Sequence, residues 1–290
     1  MTVTSNYVGR FAPSPSGPLH FGSLVSAVAS FLDARKNNGS WLLRIEDLDP
    51  PRESAEASEI IIDQLIAHGL FWDGEVLYQS SRLNAYSDAL GVLGDSDLIY
   101  PCDCARKSFA TIYPGICRGK SRSMIDDVHA LRFRVDDGEI ILADGLLGQH
   151  RWHLMNDIGD FIVRRKDGLY AYQLAVVVDD AFQGITHVVR GVDLLDSTPK
   201  QICLGSKLQL PIPGYLHHPI VIGESGDKLS KQTHAAAVDN NEAVTNLIQA
   251  LKFLGQQVPD PVPDLNTLLI NAAGNWKLEA IPLLAAQIPS

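Results

Sequence analysis

The sequence predicts an α/β fold: a parallel-sheet domain interrupted by an inserted α+β module and followed by a short, mostly helical region. Three observations carry this. The first 45 residues run strand, loop, helix, strand; residues 131–142 change to short alternating segments; and helix–strand alternation resumes at Tyr172. A strand, a helix and a second buried strand in succession pack as a βαβ unit on a parallel sheet. Alternation of apolar and polar residues marks antiparallel strands instead. At 290 residues, 46% of them hydrophobic, the chain can bury a full core without disulfides or metals for bulk stability.

Taken in order, Tyr7 to Phe11 is the first strand. Ala12-Pro13-Ser14-Pro15-Ser16-Gly17-Pro18 cannot be helical, because three prolines and a glycine break it. From Gly22 the residues Leu24, Val25, Val28, Phe31 and Leu32 recur at helical spacing, and Trp41 to Ile45 returns as a buried strand. Glu53 to His68, with Ile60, Ile61, Leu65 and Ile66 inward, and Arg82 to Leu93 are the next helices. Leu131 to Val135 and Ile140 to Leu142 read as antiparallel strands. A helix over Tyr172 to Phe182, a strand over His187 to Arg190 and a helix over Ser197 to Leu208 follow, then a strand-like run, Pro219 to Ile222. Past about residue 235, Leu247 to Leu254 and Leu268 to Leu284 supply a few helices.

Composition excludes several classes. Gly 23 and Pro 16 rule out fibrous and low-complexity chains. No apolar run approaches the ~20 residues of a membrane helix; Leu174 to Val178 stops at Asp179. The first six residues have neither a basic flank nor an apolar core, so a soluble cytoplasmic protein is expected. The net charge of -10 disfavours indiscriminate binding of polyanions. Basic charge concentrates locally: residues 101–125 hold Arg106, Lys107, Arg118, Lys120 and Arg122 against the single acid Asp103. Residues 232–290 hold two lysines against five acids and are a poor polyanion site. Three of the four cysteines, Cys102, Cys104 and Cys117, fall within sixteen positions, whereas Cys203 sits in an apolar stretch as a small buried hydrophobe.

Two loops carry phosphate chemistry. The segment from Pro13 to Ser23 leaves a strand and opens a helix, whose free N–H groups and partial positive charge hold phosphate. Gly22 admits a close backbone approach, and His20 stands where it can donate to a phosphoryl oxygen. Each feature alone also fits a surface turn. The second loop, Gly223 to Gln232, places Lys228, Ser230 and Lys231 after an apolar segment, where lysines can neutralise a polyphosphate.

His20-Phe21-Gly22-Ser23 and Lys228-Leu229-Ser230-Lys231-Gln232 together resemble the two signature motifs of class I aminoacyl-tRNA synthetases. Gly9 to Gly17, Arg44 to Asp49, Tyr170 to Asp180 and Arg190 to Leu195 are similar to the glutamyl branch, so matches span residues 9–232. Ser23 departs from the first motif's terminal histidine and Gln232 from the second motif's last serine. The resemblance implies an amino-acid site of Arg10, Phe11, Ala12, Pro13, Ser14, Glu46, Tyr172 and Arg190. Arginine forks suit the substrate's carboxylates, and Glu46, at a strand's carboxyl end, suits its ammonium. It implies an ATP site of His20, Gly22, Ser23, Lys228, Ser230 and Lys231, with His20 and Lys231 catalytic and Mg²⁺ arriving with ATP. The reaction that the resemblance implies begins with attack of the L-glutamate α-carboxylate on the α-phosphorus of ATP; being ionised, that carboxylate needs no general base, so catalysis there is positioning and electrostatics.

Only 58 residues follow Gln232, too few for both a stem-contact region and an anticodon-binding domain. This layout resembles the glutamyl-queuosine tRNA(Asp) synthetase family, the standalone paralogues that place glutamate on the wobble nucleoside queuosine. Queuosine's cyclopentene ring carries a vicinal diol like that of a terminal ribose, so one pocket suits both. The resemblance implies a Rossmann-type catalytic domain in two parts, 1–100 and 171–234, an inserted zinc-containing acceptor-binding module at 101–170, and a helical stem-contact-like region at 235–290 without an anticodon-binding domain. The partners implied are ATP, L-glutamate and the anticodon stem-loop of tRNA(Asp), with no membrane, and the chain is expected to be a monomer.

Cys102, Cys104, Tyr113 and Cys117 resemble that family's structural zinc site, one Zn²⁺ per chain. Read from the residues alone, His129 or water are rival fourth ligands, and unliganded reduced thiols stay open. Two further enzyme readings remain: a truncated glutamyl-tRNA synthetase charging a 3′ end, and a small-molecule nucleotidyltransferase, against which Arg10, Glu46 and Arg190 argue. Intact His20 and Lys231 argue against a non-catalytic sensor.

Overall fold

The computed structural model describes residues 7–50, 53–105, 112–121, 129–223, 236–262, 264–284 and 286–287. Strand β1 (Val8–Phe11) leads through the proline-rich loop into helix α1 (Phe21–Lys36). That helix is apolar on nearly every side, and Leu24, Val25 and all of residues 27–34 are buried, as expected of a helix covered all round. It ends at Asn37, and Gly39 is needed for the return, since a Cβ there would lie 2.4 Å from the Tyr7 carbonyl oxygen. β2 (Ser40–Ile45) then pairs parallel with β1, from Val8 opposite Ser40 to Phe11 opposite Leu43. Helix α2 (Ala55–Ala67), N-capped by the Ser54 hydroxyl, leads to β3 (Leu77–Tyr78), which extends the parallel sheet beside β2.

Helix α3 (Leu83–Asp95) delivers the chain to β4 (Ile99–Cys102), and the sheet type changes. β5 (Ala130–Phe133) pairs antiparallel with β4 and with β8 (Phe161–Arg164); between them β6 (Glu139–Asp144) and β7 (Gly148–His153) form a separate hairpin. The segments Leu131–Val135 and Ile140–Leu142 thus do form antiparallel strands, but in two different sheets. The sequence hid β4, β7 and β8. β7 reads Gly-Gln-His-Arg-Trp-His, too polar to show alternation, and β4 carries a proline.

Helix α4 (Tyr172–Phe182) returns to parallel topology. β9 (His187–Gly191) lies alongside β1, because the backbone N–H of Thr186 reaches the Val8 carbonyl at 2.9 Å. Helix α5 (Thr198–Lys207) crosses to β10 (Gly214–His218), parallel to β9. The expected strand at Pro219–Ile222 is displaced: the strand beside β9 is Gly-Tyr-Leu-His-His, whose glycine and two histidines mask it. Ile220–Val221 is only a short strand, β11. Helices α6 (Ala243–Phe253) and α7 (Leu265–Asn275) pack on α1, and β12 (Ala286–Gln287) pairs with β11. α7 stops at Asn275 rather than running towards Leu284; Trp276 then turns inward and its Nε1 donates to Asp33 at 3.0 Å. No helix among the described residues is long and apolar enough to cross a membrane.

Trp41 centres this core. It is fully buried, meets Phe31 edge-on at 5.2 Å and donates from Nε1 to the Ser30 hydroxyl at 3.0 Å. Trp41→Ala should lower unfolding free energy by about 3–5 kcal/mol, measurable by equilibrium denaturation.

Candidate active site

The carboxyl ends of β1, β2 and β9 and the amino ends of α1 and α4 converge on a cavity of about 180 Å³. Arg10, Phe11, Ala12, His20, Gly22, Ser23, Glu46, Tyr172 and Arg190 all line it, so nine expected residues meet in one place. Ligand sites of parallel α/β sheets lie at such strand ends. Pro13 contributes through its backbone, its carbonyl accepting the Glu46 N–H at 3.0 Å, while Ser14 faces an adjoining larger cleft.

A buried ion network holds these side chains. Arg44 is fully buried and reaches the Asp180 Oδ1 at 2.7 Å and the Glu46 Oε1 at 3.4 Å. Arg10 donates its Nε to the same Asp180 oxygen at 3.3 Å, and its two terminal nitrogens have no partner among the described residues. The donor fork of Arg10 therefore faces the cavity ready for a carboxylate. Burial works to raise the Asp180 carboxyl, but Arg44 and Arg10 outweigh it and hold it below the ordinary range. Glu46 differs: burial pushes it up to about 7 despite Arg44 and Arg10, with Asp180 adding to the rise. Arg190 is held by Tyr172, Thr198, His217 and the Leu194 carbonyl. The sequence does not single out Arg44, Asp180, Asp144 and His217 as site residues, because periodicity does not report a polar side chain folded into the interior.

His20 caps α1, its Nδ1 accepting the Ser23 N–H at 3.3 Å, with the Ser23 hydroxyl 3.1 Å from Nε2. Gly22 has a second duty. A Cβ there would meet the imidazole at 3.1 Å, so glycine lets His20 seat against the helix start. Lys228, Ser230 and Lys231 lie outside the described residues. The residues flanking their segment converge on the site: Val221 lines the cavity, and Ala237 bridges to His20.

The cysteine expectation can be tested by distance. The sulfurs of Cys102, Cys104 and Cys117 lie within 4.8 Å of one another, and can hold a metal ion. Cys104 Sγ is 3.7 Å from Cys117 Sγ, close to the roughly 3.8 Å edge of a tetrahedron with 2.3 Å metal–sulfur bonds. Tyr113 Oη stands 3.6 Å from Cys102 Sγ and 3.7 Å from Cys104 Sγ, at the fourth corner, and accepts the Cys117 N–H at 2.7 Å. His129 instead turns to Asp103 at 2.7 Å. Burial works to raise the Cys117 thiol, but hydrogen bonds from the Asp103 backbone, the Tyr113 hydroxyl and the other two thiols outweigh it and bring it down to about 7. Cys203 is buried away from this group, as expected.

A larger cleft, about 1580 Å³, adjoins the cavity and shares Ala12, Glu46, Tyr172 and Leu194 with it. It runs to Cys104 and Tyr113 and is lined by Arg132, Arg165, Lys166 and Lys200. Arg106, Lys107 and Arg122 of the basic segment lie outside the described residues.

Comparison with known proteins fits this geometry. Residues 7–112 and 118–254 match tRNA synthetases class I (E and Q), catalytic domain. The fold agrees: a glutamate-tRNA synthetase from Elizabethkingia anophelis superposes with a TM-score of 0.80 at 22% identity, over 97% of this chain and 68% of that one. Fold and site thus define a class I tRNA synthetase catalytic core. Curated relatives named glutamyl-Q tRNA(Asp) synthetase are 47% identical in Pseudomonas fluorescens, over 97% of this chain and 95% of that protein, and 48% in Dechloromonas aromatica, over 97% of each. The chain belongs to this family of glutamyl-Q tRNA(Asp) synthetases, and is an enzyme of the glutamate–tRNA ligase kind.

Glu46 gives the site a pH signature. An ammonium bound there would favour the ionised carboxylate; if Glu46 receives the ammonium of glutamate, affinity should be flat above pH about 7 and fall by up to tenfold per pH unit below it. In Glu46→Gln, calorimetry should find affinity lower by roughly thirtyfold or more at pH 8 and no such slope.

Proposed function

We propose that this enzyme activates L-glutamate with ATP to glutamyl-adenylate without tRNA, then transfers the glutamyl group to the cyclopentenediol of queuosine at the wobble position of tRNA(Asp). The observation that carries the reading is the convergence of the Arg10 fork, Arg190 and Glu46 beside His20 in one cavity. That set suits a substrate with two carboxylates and one ammonium. Full-length similarity to proteins named glutamyl-Q tRNA(Asp) synthetase supports the acceptor.

In this reading Arg10, Tyr172 and Arg190 hold the substrate's carboxylate end and Glu46 its ammonium. Phe11, Ala12 and Pro13 shape the wall, and Ser14 faces the adjoining cleft. The α-carboxylate oxygen forms a bond to the α-phosphorus as the bond to pyrophosphate breaks. His20, the backbone at Gly22 and Ser23, and Lys228, Ser230 and Lys231 stabilise phosphoryl charge, with Mg²⁺ accompanying ATP. A diol hydroxyl then attacks the anhydride carbonyl carbon, and AMP leaves as the ester forms. The larger cleft between cavity and cysteine cluster suits the acceptor nucleoside, with Arg165, Lys166 and Lys200 placed for its phosphates.

Cys102, Cys104, Tyr113 and Cys117 would hold one structural Zn²⁺, tying the end of β4 to the segment around Cys117. The division is a catalytic domain at 1–100 and 171–234, an acceptor module at 101–170 and a stem-contact-like region at 235–290, working as a cytoplasmic monomer. A 3′-end ligase is the alternative that the same adenylate chemistry would serve.

Three outcomes follow. [¹⁴C]Glutamate esterified to tRNA(Asp) should survive removal of the terminal 3′ nucleosides and be lost with unmodified tRNA; label released with the 3′ end would transfer the reading to the conventional acceptor. Lys231→Ala should abolish glutamate-dependent ATP–pyrophosphate exchange while leaving the circular dichroism spectrum intact. Atomic absorption should find one zinc per chain in the wild type, and Cys117→Ala should lose the metal and melt at lower temperature.

A further inference from the structure

Arg190 is held in the wall of the cavity by groups outside the expected site. It sits on β9 directly opposite His217 on β10, in parallel register, and both are buried. Arg190 Nε donates to His217 Nε2 at 3.2 Å, and the other ring nitrogen, Nδ1, lies 2.6 Å from the Asp144 Oδ2. Asp144 closes β6, and its second carboxylate oxygen accepts the backbone N–H groups of Leu146, Leu147 and His217. The carboxylate is thus pinned from three sides before it meets the imidazole.

The donor count makes the arrangement directional. A guanidinium has five N–H donors and no acceptor. Arg190 Nη2 reaches the Leu194 carbonyl at 3.3 Å and the Thr198 hydroxyl at 2.8 Å, and Nη1 reaches the Tyr172 hydroxyl at 3.3 Å. With Nε on His217, four donors have protein partners, and one N–H on Nη1 is left for a ligand in the cavity. The guanidinium plane therefore depends on His217 offering a lone pair. The opposite tautomer would give its Nε2 proton to the Thr198 hydroxyl, 3.1 Å away, and would leave the Arg190 Nε–H facing an N–H instead of an acceptor. A proton on both nitrogens would also place two cations in contact. Burial keeps the His217 imidazole below its ordinary range, with Asp144 opposing and Arg190 reinforcing.

We propose that Asp144 and His217 are positioning residues for glutamate binding: the Asp144 carboxylate fixes the His217 proton on Nδ1, and the lone pair on Nε2 orients the Arg190 guanidinium towards the substrate carboxylate. This rests on the assignment of Arg190 to the amino-acid site. It also gives the β6–β7 hairpin a role in substrate binding, because Asp144 reaches the site from that hairpin.

The test combines binding and spectroscopy on the full chain. ¹⁵N NMR of the wild type should show His217 as the neutral Nδ1–H tautomer from pH 6 to 8; the Nε2–H tautomer would overturn the proposal. Calorimetry should find the glutamate Kd raised roughly tenfold or more in Asp144→Asn and His217→Leu, with ATP Kd within about twofold of wild type. His217→Gln, whose amide oxygen can accept the Nε proton, should restore glutamate Kd to within a few-fold of wild type. Equal glutamate Kd in wild type and His217→Leu would overturn it, as would loss of melting temperature with unchanged Kd. Arg190→Lys separates the two readings. If it leaves glutamate Kd unchanged, Arg190 does not serve the substrate and this inference falls with that assignment. If it weakens binding while Asp144→Asn and His217→Leu do not, only the positioning role is lost.

Discussion

The site depends on one carboxylate, Asp180, which binds two guanidinium groups at once. Arg44 meets it at 2.7 Å and Arg10 at 3.3 Å, all three side chains being buried. Charges in such surroundings are stable only when paired, so Asp180 is what allows two arginines to be buried beside a cavity. The pairing is unequal. Arg44 faces inward, bound to Asp180, Glu46 and Gln183, whereas Arg10 gives up only Nε and keeps its fork for the cavity. The same cluster separates its two acids: Asp180 stays ionised, and Glu46 is tuned to about 7. In the proposed function, a substrate ammonium would complete what Arg44 only partly supplies to Glu46.

A second buried set holds Arg190 in the cavity wall: His217 and Thr198 contact the guanidinium, and Asp144 in turn holds His217. The two arginines thus reach one cavity from different strands, Arg10 anchored directly by Asp180 and Arg190 by His217, Thr198 and Tyr172. Preorganisation of this kind would serve the proposed adenylation, whose carboxylate nucleophile is already ionised and asks the protein for positioning and charge stabilisation. Of the three clustered cysteines, which can hold a metal ion, Cys104 lines the far part of the larger cleft, and none of them lines the cavity.

Much of this was legible in the residues. The βαβ start, the loop at His20 and the strand-end placement of Glu46 follow from periodicity and from proline and glycine punctuation, and the structure has them. The three cysteines announced their cluster by spacing. What stayed hidden has a common cause: tertiary partners set it. β10 is a strand because β9 lies beside it, though Gly214, His217 and His218 spoil its apolar pattern. β7 exists because β6 pairs with it. Asp180 reads as an ordinary polar position near the end of an apolar helix until Arg10 and Arg44, from strands far away in sequence, are folded onto it. Gly22 reads as a ligand-approach glycine, and the packing of the His20 ring against it emerges only in three dimensions.

In the proposed function, paired guanidinium groups in a buried, acid-anchored network select an acidic amino acid for activation. Glutamate and glutamine are near-isosteres that differ in an anionic carboxylate against a neutral amide, so the ratio of their rates reads this selection directly. ATP–pyrophosphate exchange by the purified enzyme without tRNA should proceed with glutamate and be weaker with glutamine by roughly a hundredfold or more in kcat/KM. Equal exchange with the two amino acids would contradict the account.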